Sequence, residues 1–597
     1  MALRDKRATA SYNFVPLPAT VIKSPIDGGA ESDAERQTNY KEYVKKHGKL
    51  SGYIELHCRT MTPVFIGMGD KEGAFFAPAG KPILPGSTLR GMVKNIFKIV
   101  TCGAMRTDKD SADIDDRALY YRSFMNKSYK AELVDSKKID GKHQSFTKAK
   151  PGFLIHDKLE NQHYICPAQF RRKNDPGLVG KHKKVILWDE YKEIGGELAC
   201  FTGPMTGGKT AKTHYTVHYA PDWRREQRIP VSEKTIAEYQ YDLTRDEDLD
   251  LFKLAKRGKA AASFVGDDGC DFVVPCFYKE KKGEVAHFGF GQYYRIPYPY
   301  TIGGGGHLPR AIKDASAAVD YADAIFGRKE LWGSRLAFED AVLKESKGFK
   351  GFETAHYSKT LGEPKPTSYQ LYLEQEGEKA DRDWGSENAP IRGYKLYWHQ
   401  AANFPWRKDE AESKDNVDRK IRPLKAGSVF EGRIRFKNLS EVELGALLKV
   451  FSLAAEDREL CFKIGQGKGI GLGSVRIDAE LVLIDEVQGY AQLFAENGDW
   501  NTAEKKAPME EYLKAFDDVI ERLDEKERTR YELSQQALLD LLDWKAVEQR
   551  DWAARTRQMT LGSDKNPDEA FDKEVKQFRN RWVLPTAHEV YSEGEGK

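Results

Sequence analysis

The residues best suited to chemistry form a glycine ladder, Ile464-Gly465-Gln466-Gly467-Lys468-Gly469-Ile470-Gly471-Leu472-Gly473. Without side chains, its backbone amides can approach a sugar-phosphate chain closely, and Lys463 and Lys468 add positive charge. No register gives Gly-x-Gly-x-x-Gly and a strand pattern follows, so this is not a dinucleotide-binding turn. The plainer account is a flexible turn between a helix and a strand. Five alternating glycines exceed what a turn requires, which favours phosphate contact. A second group begins in the loop Gly67-Met68-Gly69-Asp70-Lys71-Glu72. Asp70 could hold a metal ion or assist a ribose 2′-hydroxyl attacking its neighbouring phosphate; a solvated turn aspartate is an equal alternative. Farther on, Ser87 stands where a helix starts and is its expected cap. Arg90 and Lys94 follow one turn apart beside that N-terminus, a placement that suits phosphate.

Other motifs carry less. Gly203 to Thr210 fits the Walker A spacing, but the text after it, Thr213-His214-Tyr215-Thr216-Val217-His218-Tyr219, is β-branched and aromatic. A P-loop must deliver its Lys and Thr onto a helix, so a β-hairpin is expected here and the match is coincidental. His214 and His218 lack neighbouring cysteine or carboxylate at ligand spacing, which favours a surface or groove role over zinc. Tyr293, Tyr294, Tyr298 and Tyr300, ahead of Gly303 to His307, could stack on bases or pack within a sheet.

The elements that must position these groups can be read in outline. Tyr53 to Arg59 alternates as a strand, and Leu89, Met92, Val93, Ile96, Phe97 and Val100 trace one buried helical face. Val429 to Phe436 alternates again. Ser440 with Glu443 opens a helix through Leu444, Leu447, Leu448 and Phe451 as a capping box, and Ser474 to Ile484 follows as a strand. Together these fragments predict a split βαβ sheet of ferredoxin-like type with everything between inserted. The predicted fold is α+β: an arm over 1–48 with a helix from Asp33 to Lys46, core pieces over 49–103, 311–345 and 427–488, and an insertion of small β elements over 104–310. A polar, aromatic-rich region covers 346–426, with Arg407 to Lys420 as an exposed loop or hairpin tip. A helical region covers 489–597, packed on the main body or on a partner.

Composition sets outer limits. The chain has 597 residues, 40% hydrophobic, with 95 Lys+Arg against 92 Asp+Glu and a formal charge of +3. Such a length implies several domains or one core with large insertions, and wholesale disorder is excluded. A histone-like carpet of charge is excluded too, though a local basic groove is not. Seven scattered cysteines without a Cys-x-x-Cys pair argue against a disulfide framework or a zinc ribbon. No apolar run reaches the roughly 18 residues of a membrane span, and no signal-peptide core opens the chain, so a cytoplasmic, reduced protein is expected.

Several stretches are recognisable in combination. They are Thr62 to Gly67, Leu84-Pro85-Gly86-Ser87-Thr88-Leu89-Arg90-Gly91, Ile325-Phe326-Gly327, Ser334 to Ala341 and the Gly465 to Gly473 loop, in that order. The set resembles the RAMP superfamily of CRISPR-associated proteins, in particular the Cas-seven-like backbone subunits of type III effector complexes. Asn13 to Pro18 and Arg392 to Trp398 resemble its large, insertion-bearing subgroup, including type III-D variants. The resemblance implies a ferredoxin-like or RRM-like core that binds guide RNA through Ser87, Arg90, Lys94, Gly465, Gly467, Lys468, Gly469 and Gly471. It also implies a thumb-like hairpin within 346–426. Implied partners are target RNA, other backbone subunits and the large polymerase-like subunit. In the family an aspartate before the Pro-Gly-Ser motif supports target RNA cleavage with a divalent metal such as Mg or Mn, leaving a cyclic phosphate. Here Gly73 to Pro85 holds no acidic residue, and Asp70 is the nearest catalytic and metal-binding candidate. Three alternatives stay open: a target-cutting subunit, a non-catalytic RNA-binding scaffold, and a guide-processing endonuclease using a histidine such as His57.

Overall fold

The computed structural model describes residues 7–68, 73–105, 118–123, 126–139, 142–172, 192–194, 197–202, 216–242, 245, 250–315, 317–344, 349–358, 366–400, 420–453, 457–495, 497–559 and 580–593. Leu50–Thr60 (β1) turns Ile54, Leu56 and Cys58 to the interior, as strand alternation requires. Ile83–Leu84 (β2) leads into the helix Gly86–Val100 (α1), and much later come the helix Tyr321–Phe326 (α2) and the strands Leu336–Phe338 (β3) and Ala341–Leu343 (β4). Val429–Leu439 (β5), Glu441–Lys449 (α3), Phe462–Lys463 (β6) and Ser474–Ile484 (β7) complete the core, with Glu504–Lys506 (β8) added outside β7.

These strands form one antiparallel sheet in the order β6-β7-β1-β5-β4-β2, with β3 also on β5. Register lines up the inward side chains: Ile54 faces Ile434 and Leu481, and Cys58 faces Phe430 and Ile477. The run β7-β1-β5-β4, with α1 after β1 and α3 after β5, is the ferredoxin-like arrangement expected from the sequence. Leu89 of α1 and Ile470 of the glycine segment belong to one hydrophobic core.

Two residues of the Ser334 to Ala341 motif staple this core. Arg335, 9% exposed, forms a two-pronged ion pair with buried Glu443, which also closes the α3 capping box with Ser440. Asp340 accepts a 2.7 Å hydrogen bond from the Gly86 amide. That bond corrects one expectation: Ser87 is not the cap of α1, because the helix already begins at Gly86 behind Pro85, and Asp340 answers its first amide. The C-terminal helices Glu510–Glu521 (α4) and Glu525–Leu542 (α5) pack on the main body, and Phe516, Ile520 and Leu538 join the core. Gly445 makes this possible, since a Cβ there would sit 1.8 Å from the Tyr512 carbonyl oxygen.

The insertion carries a sheet of its own, in the order Ile229–Val231, Gln162–Pro167, Lys150–Asp157, Cys270–Lys281, Lys256–Arg257, with Glu284–Gly289 beside Cys270–Lys281. Phe153, Leu154, Ile155, Ile165, Val273 and Val274 form a separate core beneath it. Residues 203–215, which hold the Walker-like stretch and His214, lie outside the described residues. The strands on either side, Glu197–Thr202 and Thr216–Tyr219, pair with each other, so the first described element after the stretch is a strand. His218 departs from expectation: it is fully buried against Phe153 and Phe277, with Nε2 2.9 Å from the Cys276 carbonyl. Strand alternation puts it inside, and burial pushes its imidazole down to about 4. Of the tyrosines before the glycine run, Tyr294 and Tyr298 are packed, and Tyr298 stacks on Tyr121 at 3.8 Å. No described helix is long and apolar enough to cross a membrane.

Candidate nucleic-acid interface

The glycine segment is a tight turn between β6 and β7, held on the chain that leaves β1. Gln466 donates to the Phe65 carbonyl at 2.8 Å and Gly473 to that of Pro63 at 2.9 Å. Gly465, Gly467, Gly471 and Gly473 have φ of +72°, +72°, +96° and +81°, the region that favours glycine. A Cβ on Gly473 would sit 2.0 Å from the Ile464 carbonyl oxygen, and one on Gly465 2.4 Å from that of Phe65. Much of the ladder is therefore demanded by the turn itself. Gly471 donates to the Lys468 carbonyl at 3.2 Å, which closes the turn. Among the described residues, however, the successive amides of Gly467, Lys468 and Gly469 meet no acceptor. Consecutive free amides in such a turn are a nest for an anion.

Three half-buried lysines lie in or near this turn. Lys463 points its ammonium at the carbonyls of Gly471 and Leu472, 3.4 and 3.1 Å away. Burial, reinforced by the charge of Lys468, pulls Lys463 down to about 7. Lys468 is lowered by burial as well. Lys395 enters from a separate ladder in which Tyr12–Val15 pairs with Tyr394–Tyr397, so two stretches remote in sequence become neighbours. Its ammonium lies 3.8 Å from the Tyr12 ring centre and 5.2 Å from that of Tyr397, and burial lowers it too. A Cβ on Gly469 would stand 3.2 Å from both Ser11 Oγ and the Tyr397 ring, so this ladder abuts the turn. No carboxylate among the described residues forms an ion pair with Lys395, Lys463 or Lys468. Lys395, Tyr12 and Tyr397 escape a sequence reading because only the pairing of residues 12–15 with 394–397 gathers them.

The other sequence-predicted residues lie elsewhere. Ser87 is exposed; Arg90 donates to the Phe326 carbonyl at 2.9 Å, and its guanidinium lies 5.5 Å from the Phe326 ring. Lys94 approaches the same ring at 5.8 Å and is lowered by burial, then by Lys98 and Arg90. The helix start follows β2 at one edge of the sheet, and the glycine turn joins β6 to β7 at the other. Four strand spacings of ~4.8 Å separate β2 from β7, roughly 20 Å. The structure therefore does not bring the two groups into one pocket. Asp70 lies outside the described residues.

The sheet face turned away from α1 and α3 is a ladder of charges. Arg433 pairs with Glu55 at 3.3 Å, His57 with Glu431 at 3.4 Å and Lys506 with Glu480 at 2.5 Å. Tyr53 lies beneath the Arg433 guanidinium, 4.5 Å away and 5% exposed. Among the described residues of this face there is no row of aromatics for bases to stack on, so an RRM-style platform is absent. Glu55, His57 and Glu480 bring their donor atoms within 4.8 Å of one another, a set that suits a divalent ion. Arg433 and Lys506 already neutralise its two carboxylates, which removes the need for a metal there.

With this geometry established, comparison with known proteins gives one family match. Residues 57–262 match the model of the RAMP superfamily. The RAMP match begins within β1, includes α1 and extends through most of the insertion, about a third of the chain; the glycine turn lies beyond it. Of the α+β core described above, the matched segment holds the end of β1, together with β2 and α1. One solved structure, "Cryo-EM structure of the Type III-B Cmr-beta bound to cognate target RNA", aligns with 72% of this chain and 98% of its own at 8% identity. Its TM-score of 0.17 carries no argument. Among curated proteins nothing matches.

Proposed function

We propose that this chain is a guide-RNA-binding backbone subunit of a type III CRISPR effector ribonucleoprotein. The observation that carries the reading is the run of amides at Gly467, Lys468 and Gly469 that meet no acceptor, beside three lysines that have no carboxylate partner, among the described residues. Charge withdrawn from water is costly unless a counter-charge arrives, and a phosphate supplies it together with acceptors for the amides. The RAMP-superfamily match supports an RNA ligand over a free anion. Gly465 and Gly471 keep the turn in shape, while Ser87, Arg90 and Lys94 mark a second, separate contact along the same strand of RNA.

Fluorescence anisotropy with a guide-length single-stranded RNA tests this. Lys468→Ala should weaken binding and lower the salt slope by about 0.7, one phosphate contact's worth on a single strand. Unchanged affinity and slope would reject the site. Cleavage of target RNA through Asp70, with Mg or Mn, extends the proposal, as do partnership with other backbone subunits and with the polymerase-like large subunit. An assembled particle carrying Asp70→Ala that still cuts at every position would leave this subunit as a scaffold.

A further inference from the structure

A second basic and aromatic surface lies beside the glycine turn. Phe352 bridges to Leu424, Leu424 to Val64, and Phe65 to Gln466, so paired backbone runs from residue 352 to the turn. Along its outer part Lys350, Lys420, Arg422 and Lys425 are all exposed. Among the described residues none of the four has a carboxylate within ion-pair distance. Lys344, close by in sequence, is by contrast tied to Glu431. Phe349 is 43% exposed, with its ring edge-on to Phe352 at 5.7 Å. The Arg422 guanidinium lies over the Phe352 ring at 5.0 Å, and Phe75 packs behind it at 6.1 Å. An open ring among cations that no described carboxylate pairs with is the composition of a surface that stacks bases and tracks a phosphate backbone. An apolar protein partner would leave four charges to be desolvated without return.

We infer that Phe349, Lys350, Lys420, Arg422 and Lys425 form a second RNA subsite, which takes an unpaired stretch with a base on Phe349 and phosphates on the cations. The inference rests on the RNA-binding reading of the glycine turn and extends it to a strand whose bases are free. It is tested on the purified full chain with two labelled probes, a short unstructured RNA and the same RNA annealed to its complement. Phe349→Ala, and separately Phe349→Leu, which keeps the packing but not the stacking, should weaken single-strand binding about fivefold or more and leave the duplex unchanged. The double variant Lys420→Ala/Arg422→Ala should lower the single-strand salt slope by about 1.4. Melting curves matching the parent's exclude misfolding as the cause. Should these variants bind like the parent while Lys468→Ala does not, the second subsite falls and the glycine-turn reading stands. Should Lys468→Ala also bind like the parent, both fall. Equal weakening toward both probes would overturn the assignment to unpaired RNA. Unchanged RNA binding with altered sedimentation of the chain would make the strip a protein contact instead.

Discussion

The insertion and the glycine turn treat their poorly exposed cations in opposite ways. In the insertion, the Arg228 side chain is 5% exposed and is held between Asp157 and Asp267 at 3.2 and 2.7 Å. Its positive charge is answered within the fold. At the glycine turn, Lys395, Lys463 and Lys468 are also drawn out of water, yet no described carboxylate answers them. A fold that gives a buried cation two carboxylates in one place, and only carbonyls and aromatic rings among the described residues in another, marks the second place for an external anion. Charge alone would not distinguish the two regions; pairing does.

The sharpest way to break this contrast is to remove one cation from each region. Arg228→Met should cost about 1.5–3 kcal/mol, because Asp157, 1% exposed, then keeps only the half-exposed Arg225, 3.4 Å away, as counter-charge. Lys468→Met should leave thermal stability unchanged or higher while weakening RNA binding. Equal destabilisation in the two melting curves would erase the distinction. Next in size, Gly473→Ala should cost about 1–3 kcal/mol or more, since alanine is strained at φ +81° and its methyl meets a carbonyl. Denaturant titration should record that loss, and RNA affinity should fall with it because the amide nest is distorted.

Proton linkage gives a finer test. Lys463 sits at about 7 in the folded chain against an ordinary value of 10.5. Between those values the unfolded chain holds a proton that the folded chain does not, so this group makes stability rise with pH across that window and adds no slope below it. Lys463→Met should flatten the rise in a series of melts. Histidines of both regions act in the opposite range: burial brings His399 down to about 3, and His218 and His163 to about 4. Their contribution is complete above about 6.5 and is lost as pH falls toward 4, so near-ultraviolet circular dichroism should show acid loosening of both regions. Smallest of all, Lys506→Ala on the exposed charge ladder should leave the melting temperature unchanged.

What was legible in the sequence was whatever is settled locally. The face of α1, the capping box at Ser440 and the alternation of β1 and β5 depend on neighbours a few residues away, and each is present. Ser87 misled because the amide at the helix start is answered by Asp340, 254 residues distant from Gly86. His218 misled because alternation reveals two faces of a strand without revealing which one the insertion covers. The glycine ladder was visible, but its spacing did not separate residues that bend the chain, such as Gly473, from those that leave amides free, such as Gly469. Lys395 was hidden because its company is assembled by a pairing across most of the chain.

The same stitching governs how the molecule is made. About 370 residues separate Thr60, the end of β1, from Val429, where its first long neighbour begins. At ~5–20 residues per second a ribosome needs roughly 20–75 s to cross that gap. During that interval β1 has left the exit tunnel with both edges open, while the insertion sheet, contiguous in sequence, can already close. Synthesis therefore leaves an early strand waiting on a late one, and a chaperone that shields its edges should raise the yield of folded protein more than one acting after release.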